Sequence, residues 1–413
     1  MPDLSDPVHS RAGCASPPPI GMLGMNKHFL PRYRFPWREG NRFELLADGG
    51  RFYPQMIAAI TGAHRYILLE IYLFESGTVA DRFIAALTAA AARGVAVKLL
   101  VDDFGALGLS RHDRARLTAG GVALMFYNPL HHGKWFRNFA RDHRKLLQVD
   151  GAVAFVGGAG ITDEFDPPHA GTPGWRETMI RIEGPVLADW EALFSDVWNR
   201  HAAQPLDLPP AIAASVVPAS GTQAMVGRVT IGQGPARQEI QRSLIKQVRT
   251  ARERVWIATA YFIPVRRVRR ALRLAARRGV DVRLLLPGPH TDHPAVRFAG
   301  RRFYAGLLRS GVRIFEYQPR VLHTKLNLCD DWASIGSSNL DRWNLRWNLE
   351  ANQEVKDAAF ARALQALFED DFNASIEHYY HDWQRRPLHL RLREHLWGKV
   401  DRWLHRLGRG RQG

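Results

Sequence analysis

Ala92–Asp103 reads ARGVAVKLLVDD, and Ala276–Pro287 reads ARRGVDVRLLLP. In both, an alanine-rich helix end meets a glycine that stops the helix, and a run of valine and leucine follows. Such runs, apolar on both faces, fit strands buried inside a sheet. The elements on either side are also repeated. Upstream of the first copy lie Tyr66–Phe74 (YILLEIYLF), read as a strand, and a helix over Val79–Ala92. Downstream lie Gly120–Tyr127 (GGVALMFY) and a strand pair over Lys145–Val156 around an Asp-Gly turn. The second copy has Arg254–Ile263 (RVWIATAYFI), a helix through Ala276, Gly311–Tyr317 (GVRIFEY) and a strand pair after His323.

Gly94 and Gly279 stand 185 residues apart, so the chain is one unit written twice. Alternating strands and helices predict an α/β protein: two homologous α/β/α sandwich halves, each with a mostly parallel sheet. Face-to-face packing of such halves about a pseudo-twofold axis would bring any duplicated motif to their shared interface. The expected organisation is a mobile arm rich in Pro, Ser and Gly over 1–36 and a first half over 37–204. A Pro/Ala/Ser-rich linker over 205–222 leads to a second half over 223–380, and a basic amphipathic tail covers 381–413.

Composition narrows the function. The chain has 413 residues, of which 46% are hydrophobic and 23% charged, which suits two domains with proper cores and excludes disorder or coiled coil as a whole-chain description. No run of about eighteen apolar residues appears, and the N-terminus lacks the pattern of a secretory signal, so a cytoplasmic protein is expected. Cys14 and Cys329 are too few and too far apart for a disulfide framework or a cysteine-rich zinc site. The net charge of +17 favours polyanionic partners, either nucleic acid or an anionic membrane.

The chemistry sits at the end of each repeat. His143, Lys145 and Asp150 in DHRKLLQVDGAVAFVGG, and His323, Lys325 and Asp330 in LHTKLNLCDDWASIGSSN, are the candidate catalytic residues. Both follow H-x-K-x(4)-D at matched positions, which one chance occurrence cannot explain. Lysine usage agrees. The chain holds 8 lysines within its 57 Lys+Arg, and two of the eight fill these slots. A compact ammonium is therefore selected here rather than any cation. In an extended strand, residues i and i+2 share a face, so each His and Lys point into one cavity. A neutral imidazole can attack phosphorus while an ammonium stabilises the developing phosphoryl charge. A second His can protonate the leaving oxygen and then deprotonate the acceptor. Two half-sites thus make a complete site that calls for no metal and no cofactor.

These paired motifs resemble those of the phospholipase D superfamily, whose members form a phosphohistidine intermediate. The second motif continues as Gly336–Asp341 (GSSNLD), matching the family's G-S-x-N. By that resemblance Ser337 and Asn339 help hold phosphate oxygens. The first continues as Gly157–Gly160 (GGAG), with Gly160 where the family carries Asn. Glu177 (in GWRETMIRIEGP) and Glu350 (in NLEANQEV) match the acids that fix the tautomer of each His. The resemblance also makes His143 the nucleophile and His323 the general acid/base. Beyond the motifs, WREGNRFELLADGGRFYPQMIAAI, LLEIYLFESG and RRFYAGLLRSGVRIFEY are similar to the cardiolipin synthase B family of Gram-negative bacteria, over roughly residues 37 to 400. That family implies transfer of a phosphatidyl group from one phosphatidylglycerol to another, with release of glycerol. It also implies a peripheral position on the cytoplasmic side of the inner membrane. Phosphatidylethanolamine is a further candidate substrate.

In the tail, Leu392, Leu396, Val400, Trp403 and Leu407 recur at helical spacing, with Trp397 and Leu404 widening that face. From His381 onward nine Lys/Arg face three Asp/Glu, a pattern that suits an anionic bilayer or a helix docked on the protein's own core. His131, His132, Lys134, Trp135 and Arg137 crowd the segment before the first motif and are expected at the mouth of the site or in a solvated loop. His290, Asp292 and His293 are expected on a rim loop rather than as metal ligands. Two other readings stand beside lipid transfer: a hydrolytic phospholipase D or nuclease, and a non-catalytic anion-binding protein. The intact His-Lys pairs weigh against the last, and the length of the match weighs against nucleic acid.

Overall fold

The computed structural model describes residues 33–388 except 132, 134–137, 168–170, 203, 210–223, 234–236 and 342–346, and also residues 394 and 397. The expected arm up to residue 32, most of the linker, and Leu392, Leu396, Val400, Trp403, Leu404 and Leu407 of the tail lie outside the described residues. So do His132, Lys134, Trp135 and Arg137.

The first half contributes β1 (Arg38–Ala47), α1 (Gly49–Thr61), β2 (Tyr66–Ile71), α2 (Thr78–Ala92), β3 (Ala96–Asp102), α3 (Arg111–Ala119) and β4 (Ala123–Tyr127). It continues with β5 (Leu146–Val149), β6 (Val153–Gly157), β7 (Thr178–Glu183) and α4 (Leu187–His201). The second half contributes β8 (Met225–Gln233), β9 (Arg237–Gln238), α5 (Glu239–Thr250), β10 (Arg254–Thr259), α6 (Arg266–Arg277) and β11 (Asp281–Pro287). After these come α7 (Pro294–Arg301), α8 (Tyr304–Leu308), β12 (Arg313–Tyr317), β13 (Lys325–Cys329), β14 (Trp332–Gly336) and β15 (Leu349–Lys356). A helix over Ala358–Asn373 and β16 (Ser375–His378) follow. Gly94 and Gly279, with φ of 91° and 88°, end their helices in the left-handed region that glycine enters without penalty.

Strand order runs β16-β12-β11-β10-β13-β14-β15-β8-β1-β7-β6-β5-β2-β3-β4. From β12 to β4 the order is a palindrome centred on the antiparallel β8–β1 pair, the topological signature of a pseudo-twofold. The expectation of mostly parallel sheets is corrected. Only β2–β3–β4 and β10–β11–β12 run parallel, and the other pairings are antiparallel. Crossover helices such as α2 permit parallel pairing, whereas the tight turn at Asp150-Gly151 can only fold β5 back along β6.

Apolar packing builds three cores. One lies under α1, α2 and α3, with Phe52, Tyr53 and Phe83 against Ile67 and Leu99. A second lies under α5, α6 and α8, with Leu244, Leu272 and Leu307 against Ile257 and Leu284. The third is shared by both halves: Tyr66, Ile180, Trp190 and Phe194 join Ile231, Trp256, Ile335 and Phe368. It brings β6 and β7 against β14 and β15, the strands that follow each motif, across the seam between the halves.

Candidate active site

Both motifs lie where extended backbone enters a strand, at the seam between halves. The amide of His143 donates to the Leu349 carbonyl at 3.0 Å, and the Leu349 amide donates to the Arg141 carbonyl at 2.9 Å. The second copy mirrors this. The His323 amide donates to Arg176 O at 2.9 Å, and the Arg176 amide donates to Val321 O at 2.7 Å. Each motif is therefore stitched to the strand that carries the other half's acid.

The side chains cross in the same way. His143 Nδ1 hydrogen-bonds Glu350 Oε2 at 3.2 Å, and His323 Nδ1 lies 2.7 Å from Glu177 Oε2. Each motif histidine takes its carboxyl partner from the opposite half. Both glutamates are fully buried. A carboxylate accepting from Nδ1–H leaves the Nε2 lone pair for chemistry. The lysines turn back on their own motifs. Lys145 Nζ donates to the His143 carbonyl at 2.7 Å, and Lys325 Nζ donates to the His323 carbonyl and sits 3.4 Å from Glu177.

Although the backbone is duplicated, the electrostatics differ. Burial pushes Glu350 up to about 8, only partly offset by Lys145. Burial also brings Lys145 down to about 7, while the Glu350 carboxylate pulls it back up. His143 is driven well below its ordinary value by burial and by Lys145 and Lys325. In the other half-site burial again raises Glu177, but Lys325 and the His323 hydrogen bond outweigh it and hold the group below the usual carboxylate range. His323 is lowered by burial and Lys325, with Glu177 pulling it back. An arriving phosphodiester anion would favour the ammonium form of both lysines.

Small side chains also differ between the half-sites, and the Ser337 hydroxyl pulls Glu350 down against its burial. Ser337 donates its hydroxyl to Glu350 and accepts the Ala351 amide at 3.1 Å, so it anchors the acid. The matching position is Gly158. A Cβ there would fall 2.2 Å from Glu177 Oε2 and 2.9 Å from Lys325 Nζ, so the glycine makes room for the Glu177–Lys325 pair. Asn339 is buried with its Nδ2 unpaired among the described residues, a donor in reserve. At Gly160, its counterpart, a Cβ would meet both Cβ and O of Leu73 at 2.8 Å.

The motif aspartates sit elsewhere. Asp150 accepts the amides of His64, Arg65 and Tyr66 at 2.8–2.9 Å, and Asp330 accepts those of Arg252, Glu253 and Arg254 at 2.9–3.0 Å. Both adopt positive φ, at 55° and 49°, at the far end of the strand from the lysine. Their assignment as catalytic is corrected: they fasten the start of the neighbouring strand.

Other residues complete the walls. Tyr72, which follows β2, packs edge-on to His143 at 4.8 Å, with Lys145 Nζ 5.0 Å over its ring. Phe165 and Trp175 each lie 5.5 Å from the His323 ring, and Tyr261 lies at 6.4 Å. The Tyr261 hydroxyl bonds Asp292, which places the expected rim loop beside the second half-site. Glu164 is pushed up to about 7 by burial and by Glu75 and Asp292. Beneath the first motif, Arg144 faces Glu70 at 3.5 Å, and Asp102 takes both Arg141 at 3.3 Å and the Asp142 amide at 2.8 Å. These wall residues had one readable signal: positions just past the carboxyl ends of parallel strands line α/β sites.

Fold and site together describe an α/β phosphodiester-processing architecture assembled from two half-sites. The family model described as "Cardiolipin synthase, PLD-like domain" matches residues 56–198 and 244–372. Cardiolipin synthase B of Escherichia coli (strain K12) is 36% identical over 353 residues, covering 82% of this chain and 81% of that protein. Cardiolipin synthase A of Pseudomonas putida (strain GB-1) is 36% identical over 350 residues, covering 83% of this chain and 71% of that protein. Among solved structures, the phosphatidylserine synthase of Haemophilus influenzae Rd KW20 shares the fold. Its TM-score is 0.67 at 15% identity, with 88% of this chain and 93% of that one covered. The chain belongs to the cardiolipin synthase family of phospholipase D-like proteins.

Proposed function

We propose that this chain is a phosphatidyltransferase that makes cardiolipin from two phosphatidylglycerol molecules. The crossed His–Glu pairing carries the reading, because it sets two buried imidazoles into one site and gives each a different charge environment. His143, kept neutral by burial and by the two lysines, attacks phosphorus through Nε2. The P–O bond to glycerol breaks, and His323 delivers a proton to the departing oxygen. Lys145 and Lys325 stabilise charge on the non-bridging oxygens. The primary hydroxyl of a second phosphatidylglycerol then loses its proton to His323 and attacks the phosphatidyl-histidine. Cardiolipin forms and His143 is regenerated. One phosphodiester replaces another, so added glycerol drives the reaction backwards.

The substrates are membrane lipids, and no helix among the described residues is long and apolar enough to cross a membrane. We place the protein peripherally on the cytoplasmic side of the bacterial inner membrane. The test is incubation with phosphatidylglycerol vesicles in EDTA, with products identified by mass spectrometry. Cardiolipin with an equivalent of glycerol is expected. Phosphatidic acid alone would make water the acceptor, and no product from phosphatidylglycerol, with or without phosphatidylethanolamine, would overturn the reading.

A further inference from the structure

α6 reads RRVRRALRLAAR, with arginine at 266, 267, 269, 270, 273 and 277 and no acidic residue. Val268, Ala271, Leu272 and Ala275 are buried against the sheet, which turns Arg266, Arg270 and Arg277 outward. Beside this face runs an open groove of about 590 Å³ that Arg302 and Phe303 close from the far side. The guanidinium groups of Arg269 and Arg302 stack on the Phe303 ring at 4.2 and 4.5 Å, and Arg273 donates to Ser310 at 3.0 Å. Among the described residues, no carboxylate pairs with Arg266, Arg270, Arg273 or Arg277. Leu274 stands among them 41% exposed.

The duplication supplies an internal control. α2 occupies the same place in the first half, and its sequence, TVADRFIAALTAAAA, carries one arginine and one aspartate. Arg82 of that helix is paired with Asp166. The fold therefore does not require arginines at this position. Nor are they an even coating from the chain's overall charge, since the twin helix is neutral.

We propose that the α6 groove is the docking surface for the phosphate headgroups of an anionic bilayer, and that it seats the second half-site on the membrane. Planar guanidinium forks suit phosphate oxygens, stacking on Phe303 pre-orients two of them, and Leu274 reaches toward the apolar boundary. The helix starts five residues after Tyr261, the ring that packs on His323, so the Arg266 end of the groove is the end nearer the second half-site. The proposal rests on the phospholipid reading of the site, but its test can fail separately.

The full chain and the triple variant Arg266→Gln, Arg270→Gln, Arg277→Gln are compared by co-sedimentation with phosphatidylcholine vesicles, with and without phosphatidylglycerol. Each arginine near an anionic surface is worth about fivefold in affinity, so the variant should bind phosphatidylglycerol vesicles roughly a hundredfold more weakly. Binding by the parent should fall as salt is raised. Turnover of dispersed short-chain phosphatidylglycerol should match the parent, and an unchanged melting temperature shows that the variant folds. Undiminished vesicle binding overturns the proposal, and so does an equal loss on pure phosphatidylcholine. Tighter retention of duplex RNA than of vesicles through these same arginines overturns it in favour of a polynucleotide. If the parent binds vesicles through α6 but turns over no lipid, the function proposed above fails and the docking surface stands.

Discussion

Around His143 the partner acid Glu350 is anchored by a serine hydroxyl and raised to about 8 by burial. Around His323 the partner Glu177 faces a glycine and a lysine and stays ionised. The backbone hydrogen bonds are the same in both, down to the strand that each motif borrows from the other half. Duplication thus supplied two equivalent histidines, and the ammonium of Lys325 beside Glu177 separated the proton affinities of their partner acids. The surroundings extend the difference. A buried ionic network underlies the first motif, where Arg144 and Glu70 meet, while Thr324 and Ala258 hold those places in the second. Gene duplication alone would give two identical acids. An attacking base and a proton donor require the asymmetry.

Removing the histidines tests the division of labour most sharply. His143→Ala and His323→Ala should each lower phosphatidyl transfer by about a thousandfold or more, measured by product mass spectrometry. They should differ on a phosphatidyl substrate with a nitrophenol leaving group, which departs without acid help. His323→Ala should still release a burst of nitrophenol and trap lipid on His143, whereas His143→Ala should give neither. Equal bursts would erase the proposed distinction.

The lysines come next. Lys145→Met and Lys325→Met each remove a cation from the phosphoryl oxygens and should cost about a hundredfold to a thousandfold in kcat. Lys325→Met should also release Glu177, whose depressed proton affinity depends on that ammonium. Its pH profile should therefore gain a limb that Lys145→Met lacks.

The glutamates separate the half-sites by pH. Below about 8 Glu350 is protonated, and its acid proton competes for Nδ1, favouring the Nε2–H tautomer of His143 that has no lone pair for attack. As pH rises through that value the proton is lost, so kcat should climb, with the bound phosphodiester holding Lys145 as the ammonium. Glu350→Gln should abolish that limb at the cost of roughly tenfold in rate, since the amide still accepts from Nδ1–H. Glu177→Gln should leave the limb in place. A limb that survives in Glu350→Gln assigns the titration to another group.

The smallest effects fall on stability. Asp150→Asn and Asp330→Asn weaken three backbone caps each and should destabilise by about 1–3 kcal/mol, read as a lower melting temperature. The kcat of the folded fraction should hold within a few-fold. Gly160→Asn, which makes the halves more alike, should also destabilise by about 1–3 kcal/mol, because Leu73 occupies the space of its Cβ.

Much of this could be read along the chain. The repeated glycine-strand units marked β3 and β11 to within a residue or so, and the two H-x-K pairs marked the site. The aspartates were misread because motif spacing does not show what an acid touches. The amides they cap lie up to 86 residues upstream in sequence. Tyr72, Tyr261 and Trp175 stand outside any motif, and only their position past a strand end or beside His323 gives them a role.

By itself the sequence determined the elements, their duplication and the two pairs of reacting groups. These follow from local periodicity, from glycine's freedom at Gly94 and Gly279, and from the strand geometry that puts His and Lys on one face. Tertiary structure alone decided the antiparallel pairing of β1 with β7 and β8, the exchange of glutamates between halves, and the difference in charge between two nearly identical motifs. Each of those depends on groups far apart in the chain meeting in a buried, low-dielectric space, where one neighbouring ammonium is enough to shift a proton.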